Sequence, residues 1–132
     1  MSEVLSPSRP DLDGYDQAMT LPIPELVTQL RELLGARLVA YLGGVRETRA
    51  VRQWADAERE VQGEQAQRRL RLSYQVAQLA ARRDSAGVVQ AWFQGLNPHL
   101  DDRSPARVLR EGNLDQDGPA VLAAARAFAA TG

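Results

Sequence analysis

Cysteine is absent from the 132 residues. No disulfide framework, thiolate nucleophile or cysteine-ligated zinc site can therefore exist, and a reducing cytoplasm is the natural setting. Lysine is absent as well. All sixteen basic residues are arginine, a bias that a GC-rich coding sequence explains more simply than guanidinium chemistry does. His99 is the single histidine; without a second histidine or a cysteine it makes neither a zinc triad nor a Ser-His pairing at any familiar spacing. No apolar run approaches the roughly twenty residues of a membrane span, and the first residues, "MSEVLSPSRPDLDGYD", lack a basic region followed by an apolar one. The expectation is a cytoplasmic protein with no membrane partner.

Other chemistry is thin. "DLDG" at 11–14 and "DQDG" at 115–118 look like the start of calcium loops. With each glycine at loop position six, the position that needs a bidentate glutamate falls on Thr20 and on Ala124, so both read as turns or helix caps. The Gly43-Gly44 pair is too short to cradle phosphates. This inventory argues against an enzyme and against any cofactor.

What is present is helical periodicity with an uneven charge. Residues 1–25 set five acids against Arg9 alone, whereas residues 46–83 carry nine arginines against five acids. A basic centre on a chain of net charge -1 suggests an anionic partner met locally. Residues 1–22, rich in Ser, Pro, Asp and Gly, read as a flexible acidic arm. "IPELVTQLRELLG" then spaces Leu26, Val27, Leu30, Leu33 and Leu34 as one helix face, with Gly35 as the stop. A short helix over Arg37 to Leu42 follows, then the glycine pair, then a helix from Thr48 that puts Val51 and Trp54 on one side.

A long helix from Gly63 to Arg83 carries the stripe Ala66, Leu70, Tyr74, Ala77 and Ala81, predicting one buried face. Ser85 suits the cap of a helix containing Val88, Val89, Trp92 and Phe93. Ser104-Pro105 has the arrangement for a further helix start, and Pro119 reads as the opening of a last one through Ala130. No strand pattern or repeat is present, so the expected fold is all-α.

Helix, glycine turn, helix is the arrangement of a helix-turn-helix unit, whose second helix puts its N-terminal residues into the major groove. Arg49, Arg52 and Gln53 are then candidate base or phosphate readers, since Arg pairs with guanine O6/N7 and Gln with adenine N6/N7. Arg46 and Thr48 suit phosphates near the helix start. The competing reading is that two short helices joined by glycine occur in many proteins that never meet DNA.

The order of features has a family likeness. A helix-turn-helix region, a long arginine-bearing helix and then "WFQGLNPHLDDRSPARVLREG" resembles the Xre/MbcA/ParS family of type II antitoxins with a C-terminal toxin-binding domain. Trp92, Phe93, Asn97, Pro98, Leu100, Ser104, Pro105, Leu109 and Gly112 carry the resemblance, which covers roughly Ile23 to Thr131. It implies an N-terminal helix-turn-helix bundle over 23–84, anchored by Trp54, and a small helical toxin-binding domain over 85–132. It also implies a protein that occludes a RES-domain, NAD-consuming toxin, that forms at least a dimer, and that represses its own operon by binding operator DNA. Two features depart from the pattern: Asp101-Asp102 stand where one or two glycines are expected, and the acidic arm has no counterpart.

Within this frame Trp92 and Phe93 are structural, Trp92 sharing its stripe with Val88 and Val89. Toxin contacts are expected of Arg103, Arg107, Arg110, Arg126 and Phe128, and a chain stopped after Gly112 is expected to fold. The alternative function is a stand-alone helix-turn-helix transcription regulator whose C-terminal helices only dimerise.

Overall fold

A helix in water needs a buried stripe, a start and a stop, and in this chain most segments carry all three. The computed structural model describes residues 10–131. Among them are α1 (Pro10–Thr20), α2 (Ile23–Leu34), α3 (Ala36–Gly43), α4 (Thr48–Ala55), α5 (Glu64–Ala80), α6 (Ala86–Gln94), a 3-10 turn (Pro98–Leu100), α7 (Pro105–Glu111) and α8 (Leu114–Thr131). No strand occurs among the described residues, only one isolated bridge between Asn97 and Arg103. The fold is all-helical.

α2 buries Leu26, Val27, Leu30 and Leu34, four of the five residues read as its apolar face; Leu33 lies at the rim. α3 ends where Gly44 takes a left-handed conformation, φ 81°, which only glycine adopts freely. Gly43, one residue earlier, faces the edge of the Trp54 ring: a Cβ there would sit 2.6 Å from its Cη2. The two glycines therefore do different work, one turning the chain and the other letting α3 and α4 close on each other.

The long helix α5 is buried more widely than one face. Leu70, Tyr74 and Ala77 are buried as the stripe predicts, but Ser73, Val76, Leu79 and Ala80 are buried too, and Ala66 and Ala81 lie only at the rim of the core. The cause is that α1, α2, α3 and α8 all pack on it, so it is the central helix and no surface element.

Two boundaries differ from the sequence reading. The part of the expected arm that is described, Pro10–Thr20, is a helix laid on α5: Ala18 is buried, and Arg71 donates through Nη1 to the carbonyls of Ala18 and Leu21, both at 2.8 Å. The Tyr74 hydroxyl meets Gln17 and Gln29 at 3.0 and 2.7 Å, and burial raises its pKa. At the other end, α8 starts five residues before Pro119, which lies inside it. Asn113 is the reason. Its Oδ1 accepts from the backbone N–H of Asp115 and Gln116, while Asp117 Oδ2 accepts from the Asn113 N–H. This reciprocal capping outweighs the one intrahelical bond that proline cannot make.

α5 and α8 run parallel. Arg68 meets Asp115 at 2.8 Å, and Arg83 donates to the carbonyls of Ala129 and Ala130 at 3.1 Å, so near-constant sequence offsets link the two ends. Core residues from both expected units, Leu26 to Ala80 and Val89 to Ala125, belong to one apolar cluster.

Candidate DNA-reading helix and C-terminal loop

The side of α4 that faces inward is set by Ala50, Val51 and Trp54, all buried. Their spacing leaves Thr48, Arg49 and Arg52 exposed and Gln53 half-buried, with Arg46 and Glu47 exposed in the turn before. Val45, Arg46, Glu47, Arg49, Gln53 and Arg59 line a concavity of about 510 Å³. Three of the five residues read as DNA contacts, Arg46, Arg49 and Gln53, thus share one concavity, and a fourth, Thr48, begins the helix beside it. The fifth is diverted: Arg52 donates to Asp56 at 3.1 Å and to Glu58 at 3.3 Å, drawn toward the far end of α4. Among the described residues Arg49 has only Glu47, at 3.8 Å, an exposed pair worth about 0–1 kcal/mol.

Arg59 is the residue this reading missed. The chain turns back through Ala57, φ 60°, and the Glu58 and Arg59 N–H groups both donate to the Gln53 carbonyl. That brings Arg59 to the same concavity as Gln53, a placement set by the turn and not by helical periodicity.

The C-terminal loop is organised by Asn97. It is 7% exposed; its Oδ1 accepts from the His99 N–H at 2.9 Å, its carbonyl accepts from Leu100 and Asp102, and its N–H donates to the Arg103 carbonyl. Pro98 opens the 3-10 turn and Leu100 is buried beneath it. Asp101 and Asp102 both take left-handed conformations, φ 55° and 61°, the backbone that a glycine would supply at no steric cost. Asp reaches it because a short polar side chain is tolerated there. Ser104 Oγ then accepts from the Arg107 N–H, and Pro105 and Leu109 are buried in α7. Gly112 is hemmed in, since a Cβ would lie 2.6 Å from the Val108 carbonyl oxygen. A consequence can be measured. Asp102→Gly is expected to leave stability within about 0.5 kcal/mol, whereas Asp102→Val should cost about 1–2 kcal/mol in urea unfolding; equal stability of the two variants would contradict a left-handed turn.

Of the aromatic pair, Phe93 is the core residue, fully buried with Val89. Trp92 is half-buried at the rim on the same stripe as Val88, which is exposed. It packs edge-on against Phe93 at 5.3 Å and tilted on Phe128 at 5.7 Å between ring centres.

The five residues expected to touch a toxin are not gathered in one patch. Arg103 Nε donates to the Leu100 carbonyl. Arg107 pairs with Glu111 at 3.2 Å. Phe128 leans on Trp92, while Arg126 lies on the other flank of α8, lining a groove with Leu79, Arg82 and Arg83. Arg110 points away from the loop: its Nη1 donates to the Tyr41 carbonyl at 2.9 Å, and its guanidinium sits 4.7 Å above the Tyr41 ring.

His99 is exposed, and among the described residues no three His, Asp or Glu side chains converge as a metal site. No described helix is long and apolar enough to cross a membrane. No protein-family model, curated protein or solved structure matches the chain.

Proposed function

We propose that the chain is a cytoplasmic antitoxin: it docks on a RES-domain, NAD-consuming toxin, occludes the active site, and as a dimer represses its own operon through α4. The observation that most favours this reading is the turn at Asp101-Asp102. The resemblance calls for glycine there, and the backbone takes the glycine conformation at both positions although the side chains are aspartate. Two successive left-handed aspartates are held in place by their surroundings, here by the hydrogen bonds converging on Asn97. Expression beside the neighbouring gene tests the proposal. The two products should copurify, and NAD consumption by the toxin should fall to background at equimolar antitoxin; a neighbour that neither binds nor consumes NAD removes it.

A second reading, a stand-alone transcription regulator, draws on one specific observation. Arg110 and Phe128 both make contacts within the chain, to Tyr41 and Trp92, as a structural C-terminal segment would. Both readings share the DNA contact, for which Arg49 is the best probe: it is exposed, weakly paired and beside the α4 start. Arg49→Ala is expected to weaken operator binding and to make the salt dependence shallower by about one if it holds a phosphate, or to relax specificity by about 1–3 kcal/mol if it reads a guanine. Fluorescence anisotropy across a salt series distinguishes the two.

A further inference from the structure

Two arginines converge on the end of α3 without an acid between them. Arg69, from α5, donates through Nε to the Leu42 carbonyl. Arg110, from α7, donates to the adjacent Tyr41 carbonyl and stacks on the Tyr41 ring. Each guanidinium has five N–H donors, and among the described residues each has one protein acceptor and no carboxylate in ion-pair range. Arg71 on α5 and Arg83 just beyond its end also donate to carbonyls, whereas Arg49, Arg52 and Arg68 meet acids.

Capping carbonyls at a helix end explains one cation, since the last turn carries a partial negative charge. It does not explain two like charges drawn together, which repel at short range. The Arg69 guanidinium is held below its ordinary pKa, first by burial and then by the Arg110 charge. An anion bridging the two would remove the repulsion and use the idle donors in the fork geometry that suits phosphate.

Position identifies the anion. The tip of Arg69 reaches the exposed Gly44, where a Cβ would lie 2.9 Å from its Nη2. Gly44 begins the turn that leads through Arg46 to Arg49, so the Arg69 tip adjoins that turn, on which Glu47 is the sole acid; Arg110 approaches from the Tyr41 side. We infer that Arg69 and Arg110 together hold a backbone phosphate of duplex DNA, clamping the α3–α4 turn on the strand beside the groove that α4 enters. This rests on the DNA-binding half of the function proposed above, and it moves Arg110 from the toxin surface to the nucleic-acid surface.

The experiment is anisotropy of a labelled operator-length duplex from the upstream region, measured over a salt series with the full chain. Arg110→Gln, which keeps a donor for the Tyr41 carbonyl, is expected to make the slope of log affinity against log salt shallower by about one. Arg110→Lys keeps the charge and should keep the slope. Arg31→Gln, on the exposed side of α2, removes a charge elsewhere and should leave the slope unchanged. In the wild-type chain the Nε–H resonances of Arg69 and Arg110 should shift when duplex is added, a reading that needs no variant to fold. Wild-type binding with unshifted resonances, or an Arg110→Gln slope equal to wild type, overturns the clamp and leaves α4 as the DNA contact; a wild-type chain that binds no duplex at low salt overturns both.

Discussion

Trp54→Ala is expected to cost about 3–5 kcal/mol of folding stability, lowering Tm by more than about 10 °C. The residue is 2% exposed and is the largest side chain joining α4 to the core, so its removal leaves a cavity that short helices cannot close. Trp54→Phe should be far milder, because the indole Nε1 has no hydrogen-bond partner among the described residues and nothing polar is lost with it. Gly43→Ala acts on the same contact from the other side. Its Cβ would lie 2.6 and 2.7 Å from the Trp54 Cη2 and Cζ3, inside any real carbon–carbon contact, and overpacking of this kind costs about 1–3 kcal/mol despite alanine's better helix propensity. Those two carbons belong to the six-membered ring of the indole, which phenylalanine lacks in that position. Gly43→Ala should therefore be cheaper in the Trp54→Phe background, with a coupling of about 1–2 kcal/mol in a double-mutant cycle. Urea unfolding of the four proteins measures it. Additive costs would mean that α3 and α4 do not meet through this pair, and the proposed helix-turn-helix reading of the two would go with it.

The same contact shows where the sequence was informative. Each element from α2 to α4 carries its signals locally: leucines at helical spacing, a glycine at the stop, and apolar residues at Val51 and Trp54 three apart. The cap at Ser104-Pro105 was legible for the same reason. α1 was not. "PDLDGYDQAMT" has weak helix propensity, Ala18 is the one buried residue among its described side chains, and it is held by Arg71 and Tyr74 some fifty residues away. The start of α8 departs from the sequence expectation because Pro119 is a strong local signal and Asn113 with Asp117 a stronger one, visible only as a pair.

At the candidate site, which arginines face outward followed from the helical period, and the structure agrees for Arg49 and Arg52. What each one meets did not follow. Arg52 turns to Asp56 and Glu58, a choice among neighbours that periodicity leaves open. Arg110 reaches Tyr41, 69 residues earlier in the chain, so its place is set by how α7 crosses α3, and tertiary packing of that kind has no signature in a single sequence.

A chain stopped after Gly112 is expected not to fold, the opposite of what the sequence suggests. The truncation removes α8, and with it Leu114, Val121, Ala124, Ala125 and Ala129 from the buried set and Leu122 and Phe128 from its rim. Burying a large aliphatic or aromatic side chain contributes about 1.5–3 kcal/mol, so losing several approaches the roughly 5–15 kcal/mol that holds a whole domain together. The damage is not confined to the missing helix. α5 loses the partner that runs beside it from Arg68 to Arg83, which exposes a face of the central helix in water. The expected result is loss of the cooperative thermal transition and of most helical circular dichroism. Phe128→Ala separates structure from function more gently: Phe128 is half-buried against Trp92, so the variant should stay folded with a loss of about 1–2 kcal/mol. Its effect on NAD consumption by the proposed partner toxin then tests docking alone. A truncated chain that still melts cooperatively would show that α8 is an appendage and return it to the docking role, while unchanged inhibition by a folded Phe128→Ala variant would place the toxin contact elsewhere on the chain.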